Sequence, residues 1–578
     1  MIQFFKNARL AAGVISQHLS DDPFVLYLQV ARRLPAVVRP LGRLASAVLP
    51  KSSFAVPALL GSLSNGDDAD VTRRLQLAVR RHVKGEQARR LADIALSAGL
   101  PELSDTLLAA ASAAPGLKSA RARRLWHDGN MSGAVAALDG SGAAGLRQQA
   151  RLAGEVAVFA GAAPSLRRQD FTPVPGRVLY LLTNSLPHTA SGYAQRSHSV
   201  MVAQQQEGWD VLAVTRLAYP VQVGKFLARA TDVVDGVRYR RLLPAKLAPT
   251  MDARLQQQAE ELLRVALEFK PSVLHTTTHF VNGLVVRAVA DALGIPWVYE
   301  VRGQLADTWA STRGPEARNS EKYRLFQERE TEIMREADLV VTLGQAMKAN
   351  IVTAGIPEAK VIIAPNAVGG GFLDEPLDAA SARGELGLER DGQYIGTVSS
   401  LVAYEGIDDL VEAFELLAPK HPDLRLLIVG DGVSKPLLQV QARQSGFGDR
   451  IIFTGRVPQD RAVRYHQSLD VFVVPRKDLE VTRSVTPLKP VEALACARPV
   501  VASNLPALSE IIEDGVNGIV VPAEAPAQLA AALATVLADG TLRASMGLAG
   551  RVRVLNTRTW AANAQALAAA YRKLHHDH

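Results

Sequence analysis

Two textures of hydrophobic and polar positions divide the chain near residue 170. Before it, apolar residues recur at three- and four-residue spacing, as in "VTRRLQLAVRRHVKGEQARRLADIALSAGL" and "RARRLWHDGNMSGAVAALDG". With Gly at the cap positions, this is the pattern of amphipathic helices, so residues 1–170 are expected to form an all-α region. No 34-residue period is sustained, which argues against a full tetratricopeptide array. The segment 160–176, "AGAAPSLRRQDFTPVPG", carries three prolines and predicts a linker.

From residue 177 short apolar runs alternate with helical segments. "RVLYLLTN", "WDVLAVTR", "SVLHTTT", "PWVYEVRG", "ADLVVTLG" and "KVIIAPNAV" read as buried parallel strands separated by helices. The pattern restarts near residue 393 with "QYIGTVSS", "LRLLIVGDG", "RIIFTGRV", "LDVFVVPR", "RPVVASN" and "NGIVVP". Two doubly wound, Rossmann-like α/β domains are therefore predicted, at 177–385 and 386–555, behind the helical region. Residues 556–578 are expected to form a C-terminal helix packing back on the first of them. Ligands of open α/β sheets bind outside the carboxyl ends of the strands, so the cleft between the two domains is the expected site.

Composition narrows the class. The 578 residues include a single cysteine, Cys496, which excludes a disulfide framework and a cysteine-based zinc cluster. No apolar run reaches the length of a spanning helix, and Lys6, Arg9 and the Asp21–Asp22 pair interrupt any signal-peptide core. A cytoplasmic protein is the expectation. The net charge of +8 is uneven: residues 1–170 hold 22 Lys and Arg against 13 Asp and Glu, and the remainder is close to neutral. A basic helical front suits an anionic membrane surface or an acidic protein partner. Without aromatic interleaving or a recognition motif, it does not suit nucleic acid.

The chain lacks a G-x-G-x-x-G after its first strand and a G-x-x-x-x-G-K-[ST] loop, which removes nicotinamide dehydrogenases and P-loop NTPases. No His or carboxylate cluster has metal-ligand spacing, so no metal site and no cofactor are expected. "GDG" at 430–432 is a strand-to-loop turn that by itself is as compatible with ordinary turn chemistry as with a ligand. The order "YIGTVSS", "YEGIDDLVEAF", "LLIVGDG", "FTGRV", "VFVVPRKD", "TPLKPVEALACARPVVAS", "EIIEDGVNGIVV" is more specific. It resembles family 4 glycosyltransferases of the GT-B fold, in a bacterial polysaccharide-type branch, over about residues 177–560.

The resemblance implies a retaining, metal-independent transfer of a sugar from a UDP- or GDP-sugar to a hydroxyl of a glycan or lipid-linked acceptor. The setting would be polysaccharide or glycoconjugate synthesis, in the cytoplasm or peripherally at the inner membrane. A diphosphate needs cations and free N–H groups, and a ribose suits a carboxylate that accepts two hydrogen bonds. In "EVTRSVTPLKPVEALACARPVVASN" (480–504), Arg483 and Lys489 are therefore candidate phosphate clamps and Glu492 the candidate ribose acceptor. Arg476 and Lys477 are further candidate cations, and Gly430, Gly432 and Gly192 are candidate donor-loop glycines. Arg302, Glu300 and His279 are the candidate catalytic groups of the first α/β domain; a salt bridge between Arg302 and Glu300 is the plainer alternative.

Two departures stand out. Ser484 occupies the position of the family's first glutamate, and Ser399, Ser400 and Glu405 lie where Arg and Lys often approach the phosphates. They keep two other readings open. One is a degenerate GT-B protein that binds glycans or acts as a scaffold, and the other is a GT-B sugar-nucleotide epimerase. A phosphorylase lacks support, because no lysine has the required cofactor context.

Overall fold

The structure, a computed structural model, describes residues 2–21, 54–65 and 67–577. Helix Ile2–Asp21 comes first, followed by helices Val56–Asn65, Asp68–Arg80, Gly85–Ser97, Pro101–Ala110, Leu117–His127, Met131–Ala136 and Ala143–Phe159. Their starts follow local chemistry: Asp67 and Asn130 accept the N–H groups of Asp70 and Gly133, and Pro101 opens its helix. The helices from Val56 to Ala110 enclose their own core, centred on Leu59, Leu75, Leu91, Ile94 and Leu107.

This front is docked on the first α/β domain. Phe159 meets Phe280 and Phe326 edge-on, with ring centroids 5.2 and 5.5 Å apart. The proline-bearing linker is likewise laid on that domain. Leu166 and Phe171 pack on its core, and the N–H groups of Gln169 and Val174 donate to the carbonyls of Ala292 and Lys270.

The first α/β domain holds β1 (Arg177–Leu182), β2 (Asp210–Thr215), β3 (Thr231–Val234), β4 (Val237–Arg241), β5 (Val273–Thr277), β6 (Trp297–Val301), β7 (Leu339–Thr342) and β8 (Val361–Ile363). They form one sheet in the order β3-β4-β2-β1-β5-β6-β7-β8. Every pairing is parallel except β3 with β4. Helices cover both faces, which is why the central strands are apolar throughout. The β3–β4 ribbon was not among the predicted strands. Its signal is the Asp235-Gly236 pair between two alternating runs; both residues take positive φ, as a two-residue hairpin turn requires.

The second α/β domain holds β9 (Gln393–Val398), β10 (Leu424–Val429), β11 (Ile451–Gly455), β12 (Val471–Val474), β13 (Val500–Ser503) and β14 (Gly518–Val521). All run parallel in the order β11-β10-β9-β12-β13-β14. Helix Ala379–Leu386, which the sequence assigned to the end of the first domain, belongs here: buried Arg383 bonds the Ser468 carbonyl and pairs with Asp470. The boundary therefore falls at the chain crossing near Val368. There Val368 N–H donates to the Arg558 carbonyl and Trp560 N–H to the Val368 carbonyl. Helices Pro526–Ala538 and Gly540–Thr557 stay with the second domain. The last helix, Trp560–Asp577, crosses back and buries Leu567, Ala568 and Tyr571 against β1, β2 and β5.

Candidate functional site in the interdomain cleft

The carboxyl ends of the two sheets face each other. At the end of β6, Glu300 is buried between two guanidinium groups: Arg196 donates from Nε and Nη2 to Oε1 at 2.9 and 2.7 Å, and Arg302 Nη2 donates to Oε2. Burial pushes the Glu300 carboxyl up, but Arg302 and Arg196 outweigh it and hold it well below the usual carboxylate range. Arg302 is also fixed by the Ser197 hydroxyl (2.7 Å) and the Tyr193 carbonyl (3.0 Å). The salt bridge is thus present. Arg302 nevertheless borders a pocket of about 200 Å³, together with His279, Asn184, Tyr193 and Thr278.

His279 caps helix Phe280–Leu293 and is held between Phe280 and Phe326, with centroids at 4.5 and 4.9 Å. Burial first, then the charges of Lys322 and Arg216, push its pKa down to about 3. His279 is therefore a neutral imidazole at neutral pH, a weak proton acceptor and not a standing cation. Gly192 opens helix Gly192–Gln206 behind a Ser191 cap, and no atom lies near the place a Cβ would take.

In the second domain, Gly430 and Gly432 hold the turn after β10. A Cβ on Gly430 would stand 1.8 Å from the Ser399 carbonyl oxygen, and one on Gly432 would stand 2.2 Å from that of Leu401. Only bare backbone fits beside the β9 loop. Lys489 starts helix Lys489–Ala495, and Glu492 lies in its first turn. Glu492 borders a cleft of about 720 Å³ lined by both domains, including Arg196, Gly369 and Trp560. His466 Nε2 stands 3.4 Å from its carboxylate.

The remaining candidate cations are engaged. Buried Arg476 makes a bidentate pair with Glu405 (2.9 and 3.1 Å) and bonds the Val485 carbonyl. Lys477 is paired with Asp408 at 2.5 Å, and exposed Arg483 with Asp478. Burial pushes Glu405 up, but Arg476 and then Lys489 hold it below the ordinary range. Lys489 thus faces the same small cluster. Cys496 is buried, its thiol pushed up to about 12 by that burial.

Arg196 and Glu510 went unread in the sequence. Arg196 ties Glu300 to the interdomain crossing through the carbonyls of Ala364 and Pro365 and the Asn366 side chain. Ser484, where a glutamate was expected, is buried in the seam between domains and accepts the Asn350 amide at 2.8 Å. Asn366 donates to the Thr486 carbonyl, and Glu510 accepts the N–H groups of Gln345 and Ala346 across the same seam. Among the described residues, no group of three or more His, Cys, Asp or Glu is arranged to hold a metal ion.

Comparison with known proteins agrees with this arrangement. The family described as "Glycosyl transferase 4-like domain" matches residues 191–367, and that described as "Glycosyl transferases group 1" matches residues 378–553. A D-inositol 3-phosphate glycosyltransferase of Segniliparus rotundus is 28% identical over 312 residues, 53% of this chain and 66% of that protein. A GDP-mannose-dependent alpha-(1-6)-phosphatidylinositol monomannoside mannosyltransferase of Mycolicibacterium smegmatis is 31% identical over 231 residues, 39% of this chain and 60% of its own length. The matches thus span just under two thirds of these relatives. The crystal structure of Anabaena HepE in complex with UDP-glucose superposes with a TM-score of 0.54 at 16% identity, covering 69% of this chain and 99% of HepE, which speaks to the fold. With two facing parallel sheets and both family descriptions met in order, the chain belongs to the family 4, group 1 glycosyltransferases of GT-B fold.

Proposed function

We propose that the protein transfers a sugar from a nucleoside-diphosphate sugar to a hydroxyl of a glycan or lipid-linked acceptor. The setting would be bacterial polysaccharide or glycoconjugate synthesis at the cytoplasmic side of the inner membrane. The observation that carries the reading is that Glu492, one turn after Lys489 on the same helix, borders a cleft lined by both α/β domains. In this reading the ribose bonds Glu492, the diphosphate lies toward Lys489 and the glycine turn, and the acceptor enters beside Arg302 and His279. The relative named for GDP-mannose and the HepE complex with UDP-glucose make GDP and UDP the donor bases to test first.

Rate enhancement would come from positioning and from stabilising the departing phosphate in a closed cleft. A retaining course, with the leaving phosphate taking the acceptor proton, asks for no strong base, in keeping with a neutral, low-pKa His279. The helical front would tether the enzyme to a membrane surface or a protein partner.

A thermal-shift screen of nucleoside diphosphates tests the donor site, because a ligand at about 100 times its Kd stabilises by about 2.7 kcal/mol. Lys489→Ala and Glu492→Ala should each weaken UDP or GDP binding roughly 10–100-fold, the range for a lost charge-assisted hydrogen bond. Unchanged affinity in both would overturn the assignment. The pairing of Arg476 with Glu405 favours one rival, a scaffold that binds without turnover. Failure to release nucleoside diphosphate from any common donor would select it.

A further inference from the structure

Helix Ile2–Asp21 is seated on the first α/β domain by one face. Leu10 and Ala11 are buried against Ala218, Val221 and Ala228. Buried Asn7 donates from Nδ2 to the carbonyls of Phe226 and Ala228, each at 2.9 Å. These bonds clamp the helix to the segment 224–229, which lies between β2 and β3 at the carboxyl end of the sheet, the side on which the interdomain cleft opens.

The same contacts leave a cluster of large apolar side chains outside. Phe4 and Phe5 are 49% and 64% exposed, and Phe226 and Leu227 43% and 82%. Phe4 and Phe5 meet edge-on with ring centroids 5.9 Å apart, and Asn7, one helical turn after Phe4, bonds the Phe226 carbonyl, which sets the two exposed pairs beside each other. Single exposed apolar residues are ordinary; a convergent group marks an interaction surface.

Its surroundings are cationic. Arg9 is exposed on the helix, Lys225 and Arg229 flank the exposed pair on the loop, and residues 224–229 contain no acid. Lys6, also exposed, lines a neighbouring cleft where Arg238, Arg240 and Arg264 stand among Asp210, Glu261 and Glu268. Behind the helix, a cleft of about 670 Å³ sets Arg9, Arg147 and Lys246 over Leu10, Val14 and Leu247, and no Asp or Glu lines it.

Aromatic and aliphatic side chains inside a ring of Lys and Arg match a bilayer interface, where the apolar groups enter the headgroup–acyl boundary and the cations meet anionic headgroups. No helix among the described residues is long and apolar enough to cross a membrane, so the contact is with its surface. We propose that helix Ile2–Asp21 and the 224–229 loop form one docking surface for an anionic lipid bilayer. Phe4, Phe5, Phe226 and Leu227 insert, and Lys6, Arg9, Lys225 and Arg229 bind headgroups. Docked this way, the carboxyl-end rim of the first α/β domain lies next to the bilayer. The inference rests on the tethering part of the function proposed above and leaves the transfer chemistry to separate assays.

The test is sedimentation of the full chain with phosphatidylcholine vesicles, with and without phosphatidylglycerol. Sedimentation is expected only with phosphatidylglycerol and should be lost in high salt. Phe226→Ser/Leu227→Ser should weaken it on the order of tenfold or more. Lys225→Gln/Arg229→Gln should weaken it by a similar factor, since each cation near such a surface contributes about fivefold. All four substitutions are on exposed side chains, and the nucleoside-diphosphate thermal shift of each variant should match the parent. Absence of sedimentation with either vesicle would overturn the proposal, as would equal binding to both lipids or parental binding by both variants.

Discussion

Removing the charge of Glu300 probes how the first α/β domain holds its half of the site. Glu300→Gln keeps the shape but leaves Arg196 and Arg302 buried without their shared counter-ion. Breaking a buried pair by deleting one partner costs about 3–5 kcal/mol. Arg196 keeps the Ala364 and Pro365 carbonyls and Arg302 keeps the Ser197 hydroxyl, so the loss should stay in that range although two cations are affected. Urea unfolding followed by tryptophan fluorescence reads this domain and the elements docked on it, leaving the second α/β domain without a reporter. All five tryptophans (Trp126, Trp209, Trp297, Trp309 and Trp560) lie in the helical front, the first α/β domain or the segment after the crossing. With a slope of about 2–3 kcal/mol per M, the midpoint should fall by about 1–2 M. The sign with pH follows from the depressed pKa of Glu300. Its contribution is complete above the unfolded value of about 4.3 and is lost as pH falls below that toward the folded value, so parent and variant should converge in acid. A midpoint shift under about 0.3 M, or a gap as wide near pH 3 as near pH 7, would refute the reasoning.

Three further outcomes are expected. Gly430→Ala, which places a Cβ 1.8 Å from the Ser399 carbonyl at a φ of +141°, should destabilise the second α/β domain by more than about 2 kcal/mol in calorimetry while the tryptophan transition stays in place. Tyr571→Phe removes the hydroxyl that bonds His275, Tyr180 and Gln204 beneath the first sheet. It should lower the tryptophan transition by about 1–3 kcal/mol; no change would mean the last helix is not anchored there. His279→Gln should abolish a stability loss of about 2 kcal/mol that the parent suffers between pH 7 and pH 5. The folded pKa of about 3 lies below the unfolded value, so the unfolded chain takes up the proton first as pH falls. Comparing variant with parent at each pH cancels the opposite slope of Glu330, whose carboxyl burial raises to about 7.

The alternation of short apolar runs with helical segments made both sheets legible, because strands buried on both faces have no polar side to hide. The β3–β4 ribbon was harder to see, because half of its residues face solvent and its pattern is that of an edge. The electrostatics of the candidate site were not legible, because they depend on partners far apart in sequence. Arg476 read as a spare cation, yet its partner Glu405 lies 71 residues earlier. The clue was present in Glu405 itself, an acid in a loop that was expected to carry a cation. Ser484 repeats the lesson: the position that lacks the expected glutamate forms a cross-domain bond with Asn350. Both departures from the family pattern are therefore filled by matched partners rather than left as gaps. A buried acid facing a buried guanidinium keeps the cluster near neutral. Lys489 forms no ion pair within 4 Å among the described residues and its charge already reaches Glu405, so under the proposed function it is the cation left to meet a diphosphate.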